Sequence, residues 1–200
     1  MNRRDAIKQS LLLTGFALSA SSLATLVQSC NKAAKEPDWK PAFLTQEQAD
    51  LLAEVSETIL PRTDDSPGAR DVNVHRFIDQ MLKSYMPEAD AERFRQGLDD
   101  FSAAYLKGNP GKVFAEVPAE DRLEYVNYVS GEAFKAAQQM KNPKPEEVPF
   151  FLSLRQAVVF AYFTSEEVGT KVLAYDPIPG PFQGCVSLEE TTGGKAWALQ

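Results

Sequence analysis

The chain has 200 residues with 21 basic and 28 acidic side chains, a net charge of −7 and a pI near 4.9, so it lacks the basic face a nucleic-acid binder needs. Hydrophobic content of 44% and charged content of 24% are those of a globular domain, which excludes wholesale disorder. One histidine and two cysteines leave little for a metal site, and no C-x-x-C-H, G-x-G-x-x-G or G-x-x-x-x-G-K-[ST] stretch is present to attach a c-type haem or mark a nucleotide-binding loop.

Residues 1–29 read as an export signal. After Arg3, Arg4, Asp5 and Lys8 there is no charge from Gln9 to Asn31, and the apolar stretch Leu11–Leu18 lies inside that run. Arg3-Arg4-Asp5-Ala6-Ile7-Lys8 resembles the twin-arginine motif R-R-x-φ-φ-K, with Ala6 where a bulkier apolar residue is commoner. The mild hydrophobic region, diluted by Thr14, Gly15, Ser19, Ser21 and Ser22, suits that route, which carries folded cargo. An uncleaved anchor is the alternative, because about 20 apolar residues span a bilayer, but the Ser and Thr content makes this run a poor permanent span.

The run ends Leu26-Val27-Gln28-Ser29-Cys30. A small residue directly before a cysteine, with aliphatics upstream, resembles a bacterial lipobox, although Gln28 is atypical. Cleavage before Cys30 would leave its thiol to carry lipid, and two or more acyl chains, at about 0.8 kcal/mol per buried methylene, give stable anchoring. Residues 30–44 read as a tether, polar and proline-flanked from Asn31 to Pro41. Loss of Arg3, Arg4 and Lys8 with Asp5 would take the net charge from −7 to −9. Cys185 would be the only other thiol, which leaves no intrachain disulfide; a small buried residue is expected there.

Residues 45–200 read as a single all-α domain of about six helices with a long extended Pro/Gly-rich C-terminal segment. Thr45-Gln46-Glu47-Gln48 is a capping box, and Leu51, Leu52, Val55 and Ile59 form the first stripe before Pro61 stops it. Arg62–Asp71 is built from turn residues. A second helix is predicted over 72–85, with Val74, Phe77, Ile78, Met81 and Leu82 inward, and a third over 90–107, striped by Phe94, Leu98, Phe101 and Tyr105. Pro118 suits the first turn of a fourth, striped by Leu123, Val126, Val129 and Phe134. The fifth, 149–163, is the most apolar and is expected to be central. Thr164 is expected to cap a short sixth helix, with Glu166 and Glu167 in its first turn. From Leu173 the prolines and glycines forbid helix through Cys185.

Few residues invite chemistry. His75 is the only imidazole and reads as structural. The pairs Asp64-Asp65, Asp99-Asp100 and Glu146-Glu147 read as solvated, since adjacent helical residues do not face each other. No catalytic, cofactor-binding or metal-ligating residue is assigned. The segment Tyr175–Cys185 is the exception: a strip fixed by prolines loses little entropy on docking, and Tyr175, Pro177, Ile178, Pro179, Gly180 and Phe182 are its candidate partner-contacting residues. Packing on the chain's own helices is the competing reading.

Three stretches carry a family resemblance: the leader starting at Arg3; Glu57-Thr58-Ile59-Leu60-Pro61-Arg62-Thr63-Asp64-Asp65-Ser66-Pro67-Gly68-Ala69; and Tyr162-Phe163-Thr164-Ser165-Glu166-Glu167-Val168-Gly169 running into Tyr175-Asp176-Pro177-Ile178-Pro179-Gly180 and Gly184-Cys185-Val186. Over most of 45–190 the chain resembles subunit 3, the small subunit, of gluconate 2-dehydrogenase and related membrane-bound sugar dehydrogenases. The resemblance implies a non-catalytic partner of a large flavoprotein of the glucose-methanol-choline type, with FAD held in that partner and no cofactor in this chain. A multihaem c-type cytochrome is a frequent further partner. It also implies that the leader carries the folded, FAD-loaded pair across the membrane to the periplasmic side of the envelope. The lipobox-like end at Cys30 departs from the family pattern and points to anchoring by lipid. A free-standing envelope lipoprotein, with a binding function or an enzymatic activity of its own, is the alternative in a different class.

Export is expected to depend on the paired arginines. Fractionation of the Arg3→Lys, Arg4→Lys double variant should find both this chain and its flavoprotein in the cytoplasm; normal export would remove the twin-arginine reading.

Overall fold

The computed structural model describes residues 39–178, 180–181 and 184–198. Arg3, Arg4, Lys8, Cys30, Pro179 and Phe182 lie outside the described residues. The chain divides into two compact units, Met1–Lys40 and Pro41–Gln200, and of the first only Trp39 and Lys40 are described.

The second unit is all-α. Its helices are α1 (Gln46–Ile59), α2 (Val74–Ser84), α3 (Glu88–Gly108), α4 (Ala119–Gln138), α5 (Phe150–Phe163) and a short α6 (Leu188–Thr192). Single 3₁₀ turns at Phe114–Glu116 and Pro145–Glu147 join them, and a π turn covers Val168–Val172. The centre is shared: α1 and α5 each pack against all of the other long helices. Their buried residues, Leu52 and Val55 on α1 with Leu154 and Val158 on α5, meet Ile78, Leu82, Leu98 and Phe101 in one core. Each such side chain stabilises the fold by about 1.5–3 kcal/mol.

The capping box forms as read. Thr45 Oγ1 accepts from the Gln48 N–H at 3.2 Å, and Gln48 Oε1 accepts from the Thr45 N–H at 3.0 Å. Gln48 also donates to Asp99 at 2.7 Å, so Asp99 ties α3 to α1 rather than facing only water.

Several boundaries and faces differ from the sequence reading. α2 begins at Val74 because Asn73 takes φ 55°, a left-handed conformation that a helix interior does not accept. Pro118 is the cap of α4 rather than its first helical residue. Phe77 is exposed and meets Phe160 at 6.4 Å between ring centroids. Leu123 and Phe134 are exposed too; α4 buries only Val126 and Ala133, seven residues apart, and Arg155 covers the Phe134 ring at 4.8 Å. A short helical stretch does follow α5 with Glu166 and Glu167 at its start, but Thr164 is not its cap. The Thr164 hydroxyl donates back to the Phe160 carbonyl at 2.7 Å and closes α5, and the π turn follows. A helix absent from the sequence reading, α6, interrupts the tail: Ser187 caps it and Gly193, at φ 63°, ends it.

The segment before α1 is fastened from α2. Asp79, buried to 2% exposure, accepts the N–H groups of Ala42 at 2.6 Å, Phe43 at 3.1 Å and Leu44 at 2.8 Å. Three residues assigned above to the tether are thus part of the body, and Leu44 is buried. A carboxylate spread over three backbone donors replaces the water those donors lose on burial.

Asp79→Asn keeps the shape but turns an NH₂ group toward N–H donors. It should lower unfolding free energy by about 2–4 kcal/mol. A urea titration checks this; an unchanged midpoint would show that the clamp contributes nothing.

Candidate functional site

The loop between α1 and α2 is organised by carboxylates that face backbone N–H groups. Glu57, on the last turns of α1, accepts from the Arg62 N–H at 3.3 Å and from the Arg70 N–H at 2.9 Å. Gly68 lies so close to that carboxylate that a Cβ there would displace it from the two N–H groups. Asp71 accepts from the Gly68 N–H at 2.7 Å and from Arg62 Nε at 2.8 Å. The Arg62 hydrogen bond holds the Asp71 carboxyl below the usual carboxylate range. One turn earlier Glu54 pairs with Arg70 and, at 3.1 Å, with Arg122 of α4. Ala69 closes the loop by donating to the Leu60 carbonyl at 2.9 Å.

From the other side, Tyr162 near the end of α5 donates its hydroxyl to the Pro67 carbonyl at 2.7 Å. The two sequence blocks that are about 95 residues apart in the chain therefore meet. Between them opens a polar cleft of about 460 Å³, walled by Arg62–Ser66 and Asp71 on one side and by Glu167, just before the π turn, and Lys171 within it on the other. Such turns are frequent at functional positions because they re-aim the chain inside a helical run.

The tail leaves directly from that turn. Ala174 forms an isolated parallel bridge with Trp197, its N–H donating to Ala196 and its carbonyl accepting from Ala198, both at 2.8 Å. Lys195 Nζ reaches the Lys171 carbonyl at 3.3 Å. The tail is tied at its base, yet its large side chains face solvent: Tyr175 is 53% exposed, Ile178 83% and Trp197 46%. Val186 and Leu188 are also exposed. Pro177 and Gly180 are exposed beside them.

The remaining sequence candidates sort plainly. His75 is partly buried, and burial first, then the charges of Arg76 and Arg70, push its pKa down to about 4 against the smaller opposing pull of Asp50 and Asp79. It is a neutral imidazole at pH 7. Asp64, Asp65, Asp100, Glu146 and Glu147 are exposed. Cys185 is not the small buried residue expected; it is exposed at φ 53° in a turn. Among the described residues no group of three His, Cys, Asp or Glu side chains could hold a metal ion, and no helix is long and apolar enough to cross a membrane. The carboxylates Glu57, Asp71 and Asp79 were missed as organisers, since no local pattern announces a side chain whose partner is a distant N–H.

The family model described as gluconate 2-dehydrogenase subunit 3 matches residues 46–180, about two thirds of the chain. The chain belongs to that family. The matched stretch runs from the start of α1, through the loop and the Tyr162 block, to Gly180 in the tail. Gly184-Cys185-Val186, counted above in the resemblance, fall beyond it, as does α6. No curated protein and no solved structure matches the chain. For a subunit 3 chain the informative surface is thus the cleft between the matched blocks and the exposed start of the tail.

His75 supplies a clean pH test. Its folded pKa lies below the unfolded value of 6.5, so between pH 6.5 and about 4 the unfolded chain binds a proton that the folded chain does not. Stability is fully present above that window, falls as pH drops through it, and loses about 1–2 kcal/mol after allowing for solvent screening. The lone histidine gives one ring C2–H resonance to titrate by NMR. A midpoint near 6.5 would contradict the burial argument.

Proposed function

We propose that the protein is the non-catalytic small subunit of an envelope FAD-dependent gluconate or sugar dehydrogenase complex. It accompanies its flavoprotein partner through twin-arginine export, stabilises it, and attaches it to the membrane on the periplasmic side through lipid on Cys30. FAD and the oxidation chemistry belong to the flavoprotein of the glucose-methanol-choline type, and a c-type cytochrome takes the electrons where the complex includes one. The observation that carries this reading is the subunit 3 family match over residues 46–180. The chain's own sequence adds that no dinucleotide or phosphate-binding loop motif is available to it.

The surface chemistry supports a gripping role for the tail. Exposed apolar side chains gathered in one segment mark interaction sites, because solvent contact of that area is unfavourable. Tyr175, Pro177, Ile178 and Gly180 come first in that grip, with Pro179 and Phe182 as the sequence extends it. Tail backbone tied at Ala174 by the Trp197 bridge needs less ordering on docking than a free strand would. The Arg62–Ala69 loop, held rigid by Glu57 and Asp71, is the neighbouring surface.

Affinity purification of the tagged full chain from its own host tests the proposal. A yellow complex containing a larger flavin-bearing chain is expected; a colourless chain without partner favours the free-standing lipoprotein. Tyr175→Ala with Ile178→Ala should reduce flavoprotein recovery at least tenfold, since losing an interface aromatic costs about 2 kcal/mol or more. Circular dichroism should be unchanged, because both side chains face solvent. Unaltered recovery with intact helicity would move the interface elsewhere.

A further inference from the structure

The short helix α6 is closed by its own chain at both ends. Ser187 Oγ accepts from the Glu190 N–H at 3.4 Å, and the Gly193 N–H donates to the Glu189 carbonyl at 2.9 Å. Thr191 and Thr192 donate their hydroxyls to the Ser187 and Leu188 carbonyls at 2.8 and 2.9 Å. Yet the helix has only five residues and buries none of them. Isolated helices shorter than about 12–15 residues are marginal in water, and a helix in a protein draws most of its stability from the face it packs. α6 packs no such face on the described chain: Leu188 is exposed, and so is Val186 just before the cap.

The chain nonetheless holds α6 in a fixed place. Beyond its Gly193 end, Lys195 reaches the Lys171 carbonyl of the π turn at 3.3 Å, and Trp197 bridges to Ala174, the residue before Tyr175. Val186, Leu188 and Trp197 are thus tied to the base of the tail, and all three are exposed, as are Tyr175 and Ile178. Large apolar side chains gathered on the outside of a tethered segment mark a surface that another molecule covers.

The charge around this surface has one sign. Between Leu173 and Ala198 stand Asp176, Glu189 and Glu190 against a single cation, Lys195, which is drawn toward the π turn. Glu189 and Glu190 are exposed and make no ion pair among the described residues. Along the neighbouring cleft the exposed Asp64 and Asp65 add the same sign, while the cations there, Arg62 and Lys171, are paired with Asp71 and Glu167. Carboxylates without partners around an apolar centre complement a surface that sets lysine or arginine around an apolar centre.

We propose that α6 and Trp197 are a second docking element for the flavoprotein. Val186, Leu188 and Trp197 seat on an apolar patch of that partner, and Glu189 and Glu190 face lysine or arginine side chains at its rim. The inference rests on the subunit reading and extends it, since α6 and Trp197 lie outside the family-matched residues 46–180.

Affinity of the full chain for its purified flavoprotein, measured at low and at high sodium chloride, tests it. Leu188→Ala with Trp197→Ala should weaken binding at least about tenfold at either salt. Glu189→Lys with Glu190→Lys should weaken it about three- to tenfold at low salt, with the difference shrinking at high salt as the charges are screened. Tyr128→Ala, also exposed but on α4, should bind as the unaltered chain does. Circular dichroism should be the same for all, because every altered side chain faces solvent. If the unaltered chain binds and either pair of substitutions has no effect, the proposal is overturned while the subunit reading stands. If the unaltered chain does not bind the flavoprotein, the subunit reading fails and the proposal with it.

Discussion

The Glu57 carboxylate is the constraint on which the loop between α1 and α2, and the cleft beside it, depend. It spans the Arg62 and Arg70 N–H groups and so folds the intervening residues into a closed loop. A Cβ at Gly68 would overlap the carboxylate and push Glu57 off the N–H groups it holds. Asp71 then locks Arg62 from the other flank, and the loop presents the Pro67 carbonyl to Tyr162. Each bond to Glu57 or Asp71 joins a carboxylate to a backbone donor or a guanidinium, and such bonds contribute about twice what neutral ones do. Asp79 works in the same way at the other end of the body, holding three successive N–H groups of the segment before α1. Carboxylates fasten these irregular stretches of the described chain.

Helices were legible wherever the sequence held both a period and a stop. Thr45, Gln48 and Pro61 bracket α1, and the Phe94–Tyr105 stripe marks α3 at the correct phase. Phase failed on α4 because two neighbours, α1 and α5, cover only a narrow strip around Val126 and Ala133, which leaves Leu123 and Phe134 on the open flank. The α6 signal was present as Ser187 three residues before Glu190 and as Gly193-Gly194, but the prolines upstream outweighed it. Cys185 was misplaced because cysteine's general preference for the interior says nothing about a turn at positive φ. The long-range carboxylate bonds could not be read at all, since their partners are backbone groups shared by every residue.

The site follows from how these pieces adjoin. The loop after α1 and the turn after α5 are irregular for local reasons, yet Tyr162 brings them side by side, and the tail starts where they meet. A rigid loop beside a tethered, outward-facing apolar strip suits a chain whose work is holding another protein. The family membership places that work in a gluconate 2-dehydrogenase complex.

Hydrogen–deuterium exchange of the chain, alone and in its flavoprotein complex, addresses the central claim most directly. The account predicts that complex formation slows exchange in 173–186 and in the loop 61–71, while α1 and α5, already buried, change little. Unchanged exchange in both stretches within an intact complex, with protection appearing on α3 or α4 instead, would contradict it.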